Sequence, residues 1–331
     1  MGTSDKGAAR HLAWGDRRGA VQMAGNPSAE NGSIQGNNAW TVPWQAPQAV
    51  TTAQARRPAY DAAAADVESF QRDGVVLLRG AFADWVEPLS RGLERNLADP
   101  EAYAFPCEST ADGEAGRFFD SYCNWTRIPE YGDYVLTSSA AAMAAAFMRS
   151  TTAQFFHEHA FVKEPGTQRA TPWHQDLPYY SVEGTQTVSI YVSLDAVPRE
   201  VAVRFVAGSQ RWGKLFYPRV FLDGAAFNRD DAALAPVPDI DGHPEDYTIC
   251  SWALEPGDAL LFDFRTLHGS GDGLVRQRRR AFSSRWLGDD VRYCARPGET
   301  SPPYPDIGLS DGQRMREDWF PLLWPPEDAA G

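Results

Sequence analysis

The stretch Thr187-Val188-Ser189-Ile190-Tyr191-Val192-Ser193-Leu194 decides the fold. Its alternation sends Val188, Ile190, Val192 and Leu194 to one side and Thr187, Ser189, Tyr191 and Ser193 to the other. One face packs against another layer, while the second is semi-polar, as the wall of a reactive cavity would be. Outward from this strand, further short runs cover Ala153–Lys163, Val201–Val206, Ala259–Phe264 and Arg280–Leu287, punctuated by Gly and Pro. Short strands with turn signals and no alternating helices predict a mainly β sandwich or barrel rather than a parallel α/β sheet. Upstream, helices are expected over Asp61 to Arg72, ended by Asp73-Gly74, over Trp85 to Ala98, and near Ser139 to Arg149. Val75–Leu78 reads as a short buried strand between the first two.

Residues 1–60 are rich in Gly, Ala, Asn, Gln, Ser and Pro and show no hydrophobic period, so a mobile N-terminal tail is expected there. Residues 61–331 read as a single domain. The formal net charge of −13 opposes non-specific binding to nucleic acid or to an anionic membrane, both of which need a cationic face. Within the basic run Arg276 to Arg280, Arg276, Arg278 and Arg280 are then expected at a solvated strand edge rather than at a phosphate site. Cys107, Cys123, Cys250 and Cys294 are widely spaced and form no CxxC pair, which suits reduced thiols in the cytoplasm. The expected partner is a small-molecule substrate, taken by a monomer or homodimer.

The chemistry concentrates in Thr171-Pro172-Trp173-His174-Gln175-Asp176. His174 and Asp176, two apart at a strand end, can project to the same side and offer one nitrogen and one oxygen. His268 follows the apolar strand after Glu255-Pro256-Gly257-Asp258 and can bring a second nitrogen from a distant strand. Two His and one carboxylate suit one face of a non-haem Fe(II), leaving positions open for co-substrate and O2. A lone His-x-Asp pair is a weak signal, since most such pairs bind nothing. The distal His268-Gly269-Ser270 and the basic strand behind it strengthen it. In that strand Arg279, Ala281, Ser283 and Arg285 share one face, and Arg280, Phe282, Ser284 and Trp286 the other. An arginine inside a barrel needs an anion, and the distal carboxylate of 2-oxoglutarate suits the planar fork of Arg279.

The segments KEPGTQRATPWHQDLPYY (163–180), VRFVAGSQRWG (203–213), EPGDALLFDFRTLHGSG (255–271) and RRRAFSSRWLGDD (278–290) together resemble the phytanoyl-CoA dioxygenase family. The resemblance covers roughly residues 65 to 290, with SPPYPDIGL and FPLLWPP similar to the tail of bacterial members. It implies an Fe(II)- and 2-oxoglutarate-dependent dioxygenase on a double-stranded β-helix, a cupin-like jelly-roll with flanking helices. By the same resemblance the metal ligands fall on His174, Asp176 and His268, and the co-substrate arginine on Arg279. Ser270, Lys163 and Tyr191 join the co-substrate end. His157, on the same strand face as His159 and Lys163, matches a position where ectoine hydroxylases contact substrate; the other reading is a hydrogen-bonded core histidine. His159 and Trp173 are further candidates for substrate contact. Asp176 stands where related halogenases carry a small residue, which disfavours halogenation. Two departures touch loop shape: Arg199-Glu200-Val201-Ala202 replaces the usual Glu-Asn-Gly turn, and Gln210 replaces the usual His of a Gly-Ser-His. The expected outcome is hydroxylation of a small molecule with release of succinate and CO2. The alternatives are a catalytically silent jelly-roll that binds a small ligand, and a cupin-like metalloenzyme that does not use 2-oxoglutarate.

Overall fold

The computed structural model describes residues 58–325, apart from 101–106, 109–114, 169, 222–223, 272 and 305. The expected tail therefore lies outside the described residues up to residue 57. In chain order the strands are β1 (Val75–Leu78), β2 (Cys107–Glu108), β3 (Phe118–Tyr122), β4 (Ala153–Lys163) and β5 (Val182–Glu183). Next come β6 (Thr187–Ser193), β7 (Val203–Val206), β8 (Leu215–Phe216), β9 (Leu234–Ala235) and β10 (Ile249–Cys250). The last five are β11 (Ala259–Phe262), β12 (His268–Ser270), β13 (Arg279–Leu287), β14 (Arg292–Tyr293) and β15 (Leu322–Trp324). A large antiparallel sheet runs β1-β11-β6-β13-β4-β3-β2, and β15 takes the part of the β4 edge that β3 leaves. A smaller sheet, β10-β7-β12, faces it. Both sheets belong to the jelly-roll expected from the sequence.

Four helices among the described residues, α1 (Ala64–Asp73), α2 (Val86–Ala98), α3 (Pro129–Thr137) and α4 (Ala140–Met148), pack on the outer face of the large sheet. Val188, Ile190, Val192 and Leu194 all enter this packing with Phe282, Trp286, Leu93 and Phe147, so the strand alternation placed the core face. Burying side chains of this kind stabilises the fold by about 1.5–3 kcal/mol each. The alanines of α4 let its backbone lie close to the sheet, and all its residues except Ala146 are buried. Gly74 ends α1 at φ 75°, and a Cβ there would sit 2.3 Å from Thr266 Oγ1 and 2.5 Å from Gln210 Oε1. Only glycine fits both demands. Gln210 in turn donates to Gln71 O at 3.2 Å, which ties the departed motif position to the same helix end.

Helix α3 and strand β3 were not expected. Pro129 pre-sets the first turn of α3, and Tyr131, Tyr134 and Val135 fall on one buried face. Strand β7 begins at Val203 rather than Val201, because Arg199–Val201 forms a 3-10 turn. Strand β11 ends at Phe262; Asp263 instead pairs with Arg265 in the turn that leads to His268. No helix among the described residues is long and apolar enough to cross a membrane.

Candidate active site

His174 and His268 meet through the backbone before their side chains meet. They form an antiparallel bridge in which each N–H donates to the other's carbonyl at 2.9 Å. Directly opposed residues project to the same side, and the two rings stand 4.2 Å apart between centroids. Gly269 permits the close approach: a Cβ there would lie 2.9 Å from Thr171 O and 3.2 Å from Trp173 N. Asp176 precedes a 3-10 turn over Leu177–Tyr179, whose first N–H is anchored on Phe264 O at 2.9 Å. Its Oδ1 lies 3.8 Å from His174 Nε2 and 3.7 Å from His268 Nε2. One ligand atom from each of the three residues fits within 4.8 Å of the others.

Hydrogen bonds settle which atoms face the centre. His174 Nδ1 is 2.8 Å from Pro172 O and His268 Nδ1 is 2.9 Å from Thr266 O. A carbonyl only accepts, so both Nδ1 atoms carry the proton and both Nε2 lone pairs remain for a cation. Burial, then the neighbouring His268, pushes the His174 imidazole down to about 3. Burial lowers His268 as well. Both rings are therefore neutral at neutral pH, as ligation requires. Burial alone would raise the Asp176 carboxyl, but the Arg285 guanidinium, with the Ser189 hydrogen bond, holds it below the usual carboxylate range. Ser189 donates to Asp176 Oδ2 at 2.9 Å, and Arg285 lies 3.7 Å from the same oxygen. That leaves Oδ1 directed at the histidines. Two neutral imidazole nitrogens and one ionised oxygen fit a non-haem Fe(II) centre.

One end of the adjoining cavity is cationic. Arg279 is 9% exposed and is held by Val201 O and, at 3.3 Å, by Tyr191 OH. Lys163 stands directly opposite Arg279 in the β13–β4 register, over the Phe118 ring at 4.4 Å and 3.4 Å from Thr171 Oγ1. Thr171 N–H donates to Ser270 Oγ at 2.8 Å. The structure thus brings Arg279, Lys163, Ser270 and Tyr191 to the wall of the cavity that also meets His268. The departed turn at residues 199–202 is not remote from this end, since Val201 lends its carbonyl to Arg279.

The proposed substrate contacts fall in three different places. His159 is half-buried beside the cavity, with Nε2 2.6 Å from Asp120 Oδ2 and its ring 4.0 Å from that of Phe161, a wall residue. His157 is fully buried, packed edge-on against Tyr180 and opposite Arg285 in the sheet. Trp173 does not join the cavity. Its ring lies under Arg204 at 4.8 Å, donates to Asp241 at 3.0 Å, and packs with Val206, Phe216 and Leu267. One residue before His174 on an extended segment, it points to the opposite side from the ligand.

Sequence reasoning missed several residues that support this centre. Arg285 was placed on the inner face without a role, yet its buried guanidinium joins Tyr180, at 2.6 Å from Nε, to Asp176. The alternation of β6 and β13 carried the signal, because Ser189 and Arg285 are opposed in the sheet. Asp120 had no motif, and its strand was not foreseen.

Comparisons with known proteins agree with this architecture. The structure is similar to SnoN, a non-heme alpha ketoglutarate dependent epimerase from nogalamycin biosynthesis, with TM-score 0.61 and 21% identity over 80% of this chain and 96% of that one. It is similar to the carbocyclase SnoK of the same biosynthesis, with TM-score 0.57 and 17% identity over 80% and 97% of the two chains. EctD from S. alaskensis, in complex with 2-oxoglutarate and 5-hydroxyectoine, matches with TM-score 0.55 and 18% identity over 81% and 91%. At these identities the likeness is one of fold. A comparison with curated protein sequences gives no match. The sequence profile described as Phytanoyl-CoA dioxygenase matches residues 70–281, a span that holds all three candidate ligands and Arg279, and the chain belongs to that family.

Proposed function

We propose that the protein is an Fe(II)- and 2-oxoglutarate-dependent oxygenase that hydroxylates a small molecule and releases succinate and CO2. The observation that carries this reading is the pairing of a buried His174–Asp176–His268 triad with a cationic cavity end at Arg279 and Lys163. His174, Asp176 and His268 would hold the iron. Arg279 would take the distal carboxylate of 2-oxoglutarate in a two-pronged contact, with Lys163 and Ser270 beside it. Iron with 2-oxoglutarate and O2 supplies the oxidising power when bound. The chain's own part is to keep both imidazoles neutral, to turn one carboxylate oxygen inward, and to line the cavity with aromatic walls that exclude water. A silent binding protein would have no need of the triad, and a metalloenzyme without 2-oxoglutarate would have no need of a buried arginine and lysine at one end.

The test is spectroscopic and then chemical. Purified without oxygen, the protein should bind one Fe(II) and develop a visible charge-transfer band when 2-oxoglutarate is added. His174→Ala, Asp176→Ala and His268→Ala should each abolish the band. A band that persists in all three variants places the iron elsewhere, and turnover of 2-oxoglutarate without succinate release rejects the reading. Once a substrate is found, gain of one oxygen atom separates hydroxylation from the epimerising and ring-closing outcomes named for the two nogalamycin proteins.

A further inference from the structure

Beyond the triad, the inner face of the large sheet carries three buried polar atoms without a hydrogen-bond partner: Asp120 Oδ1, Ser283 Oγ and His157 Nδ1. Two of them, Asp120 Oδ1 and Ser283 Oγ, lie around one place, while His157 is packed against Tyr180. Ser283 is directly opposite His159 in the β13–β4 register, and His159 Nε2 is bonded to Asp120 Oδ2 at 2.6 Å. Arg285, opposite His157, is the next inward-facing residue along β13. Orphaned polar atoms in a folded interior cost free energy unless something binds them, so this pair calls for an explanation. Ser283 and Phe161 line the same cavity as His268 and Arg279, and the His159 side chain keeps 14% of its surface accessible.

Arg279 and Lys163 make one end of the cavity cationic; beside Ser283 the anion is the Asp120 carboxylate, bonded to His159, and Arg285 is the next cation along β13. With Nε2 engaged by Asp120, His159 has Nδ1 left for a ligand. Asp120 Oδ1 accepts only, while the Ser283 hydroxyl both donates and accepts. The partner that satisfies this set is neutral and carries at least one hydroxyl, which donates to Asp120 and accepts from the Ser283 hydroxyl. A carboxylate or phosphate would meet Asp120 with like charge. The Phe161 ring, tilted by 32° against His159 at 4.0 Å, offers a flat apolar wall for the carbon skeleton.

We propose that Asp120, His159 and Ser283 form a subsite for a hydroxyl group of a neutral, hydroxylated ring substrate, held beside the metal centre. Its assignment to the substrate, rather than to some other ligand, rests on the oxygenase reading above. The test uses trans-cyclohexane-1,2-diol and its dimethyl ether as probes, with ligand-observed NMR on the metal-free full-length chain and a crystal soak to locate the diol. The diol should bind at least tenfold more tightly than the ether, which cannot donate. Ser283→Ala should weaken the diol about three- to tenfold, and Asp120→Ala about ten- to a hundredfold, with ether binding unchanged. Ser283→Ala removes one oxygen only, so it reports even if Asp120→Ala fails to fold. Equal binding of diol and ether, wild-type diol affinity in Ser283→Ala, a diol located elsewhere, or no diol binding at all would each overturn the subsite. Because the protein is metal-free in this experiment, such a failure is distinct from loss of the charge-transfer band, which would reject the oxygenase reading instead.

Discussion

At the scale of single residues, Glu158 shows what burial does to a carboxyl that has no cation in contact. It sits between His157 and His159 on β4 but on the outward face, opposite Ser284 in the sheet. One oxygen accepts the Asn124 N–H, and Oε2 has no partner. Burial, resisted chiefly by backbone N–H groups, pushes its carboxyl from 4.5 up to about 7. Between those two values the folded chain keeps a proton that the unfolded chain has lost. Stability from this group is therefore complete below pH 4.5, falls as pH rises through the window, and is lost above about 7. Integrated over the window the loss is on the order of 3 kcal/mol. Glu158→Gln keeps an acceptor for Asn124 and removes the charge. Thermal unfolding should find the variant more stable than wild type at pH 8, with the gain vanishing towards pH 4.5. A variant less stable than wild type at pH 8 would contradict this account of Glu158.

At the scale of the element, β13 divides its labour by face. Arg279, Ala281, Ser283 and Arg285 line the cavity, while Phe282 and Trp286 enter the helix-packed core. Arg280, on that outer side, pairs with Asp195 at 2.7 Å and Glu94 of α2 at 3.0 Å. Two neighbouring arginines should therefore behave oppositely. Arg279→Ala should raise the apparent constant for 2-oxoglutarate about ten- to a hundredfold, with Fe(II) binding little changed. Arg279→Lys should recover part of that loss, since an ammonium lacks the fork. Arg280→Ala should leave the constant near wild type and lower stability by about 1 kcal/mol or less, as partly exposed pairs do. If Arg280→Ala is the damaging change for 2-oxoglutarate, the facing of the whole strand is inverted. This facing was legible beforehand because a period of two leaves only two choices, and Arg279 with small residues on its side identifies the hollow one. The same logic explains the candidate ligand triad and the core face of β6. It failed for Asp120, whose strand β3 carries Phe118-Phe119-Asp120-Ser121-Tyr122, buried on both sides and without an alternating pattern. It failed also for Trp173, where nearness in sequence to His174 outweighed the alternation that turns the ring away.

At the scale of the whole molecule, the span matched by the family profile and the span that holds the structure together are different. Residues 70–281 end inside β13, which runs on to Leu287 and is the strand between β4 and β6. Beyond it the chain turns back. Tyr304, Ile307, Met315 and Phe320 pack on Phe156, Tyr180 and Phe264, and β15 pairs with β4 while Leu323 enters the main core. Phe320 and Leu323 are fully buried, and Tyr122 and Tyr179, near the metal-ligand side, contact Ser301 through its hydroxyl and N–H respectively. At about 1.5–3 kcal/mol for each large apolar side chain, removal of five of them exceeds much of the roughly 5–15 kcal/mol by which a domain is stable. The expected tail lies outside the described residues up to residue 57, and at its far end Tyr60 already packs on Phe147 of α4 at 6.3 Å between ring centroids. Two truncations should therefore diverge. Deleting residues 1–55 should shift the melting temperature by under about 2 °C, equivalent to roughly 0.5 kcal/mol. Ending the chain at residue 300 should abolish cooperative unfolding, because it exposes the β4 edge together with the aromatic cluster behind His157. Calorimetry on both truncated chains checks the pair. A cooperative transition near the wild-type temperature in the chain ending at 300 would show that the C-terminal return is an ornament, and a large fall on removing 1–55 would show that the N-terminal segment docks on the barrel.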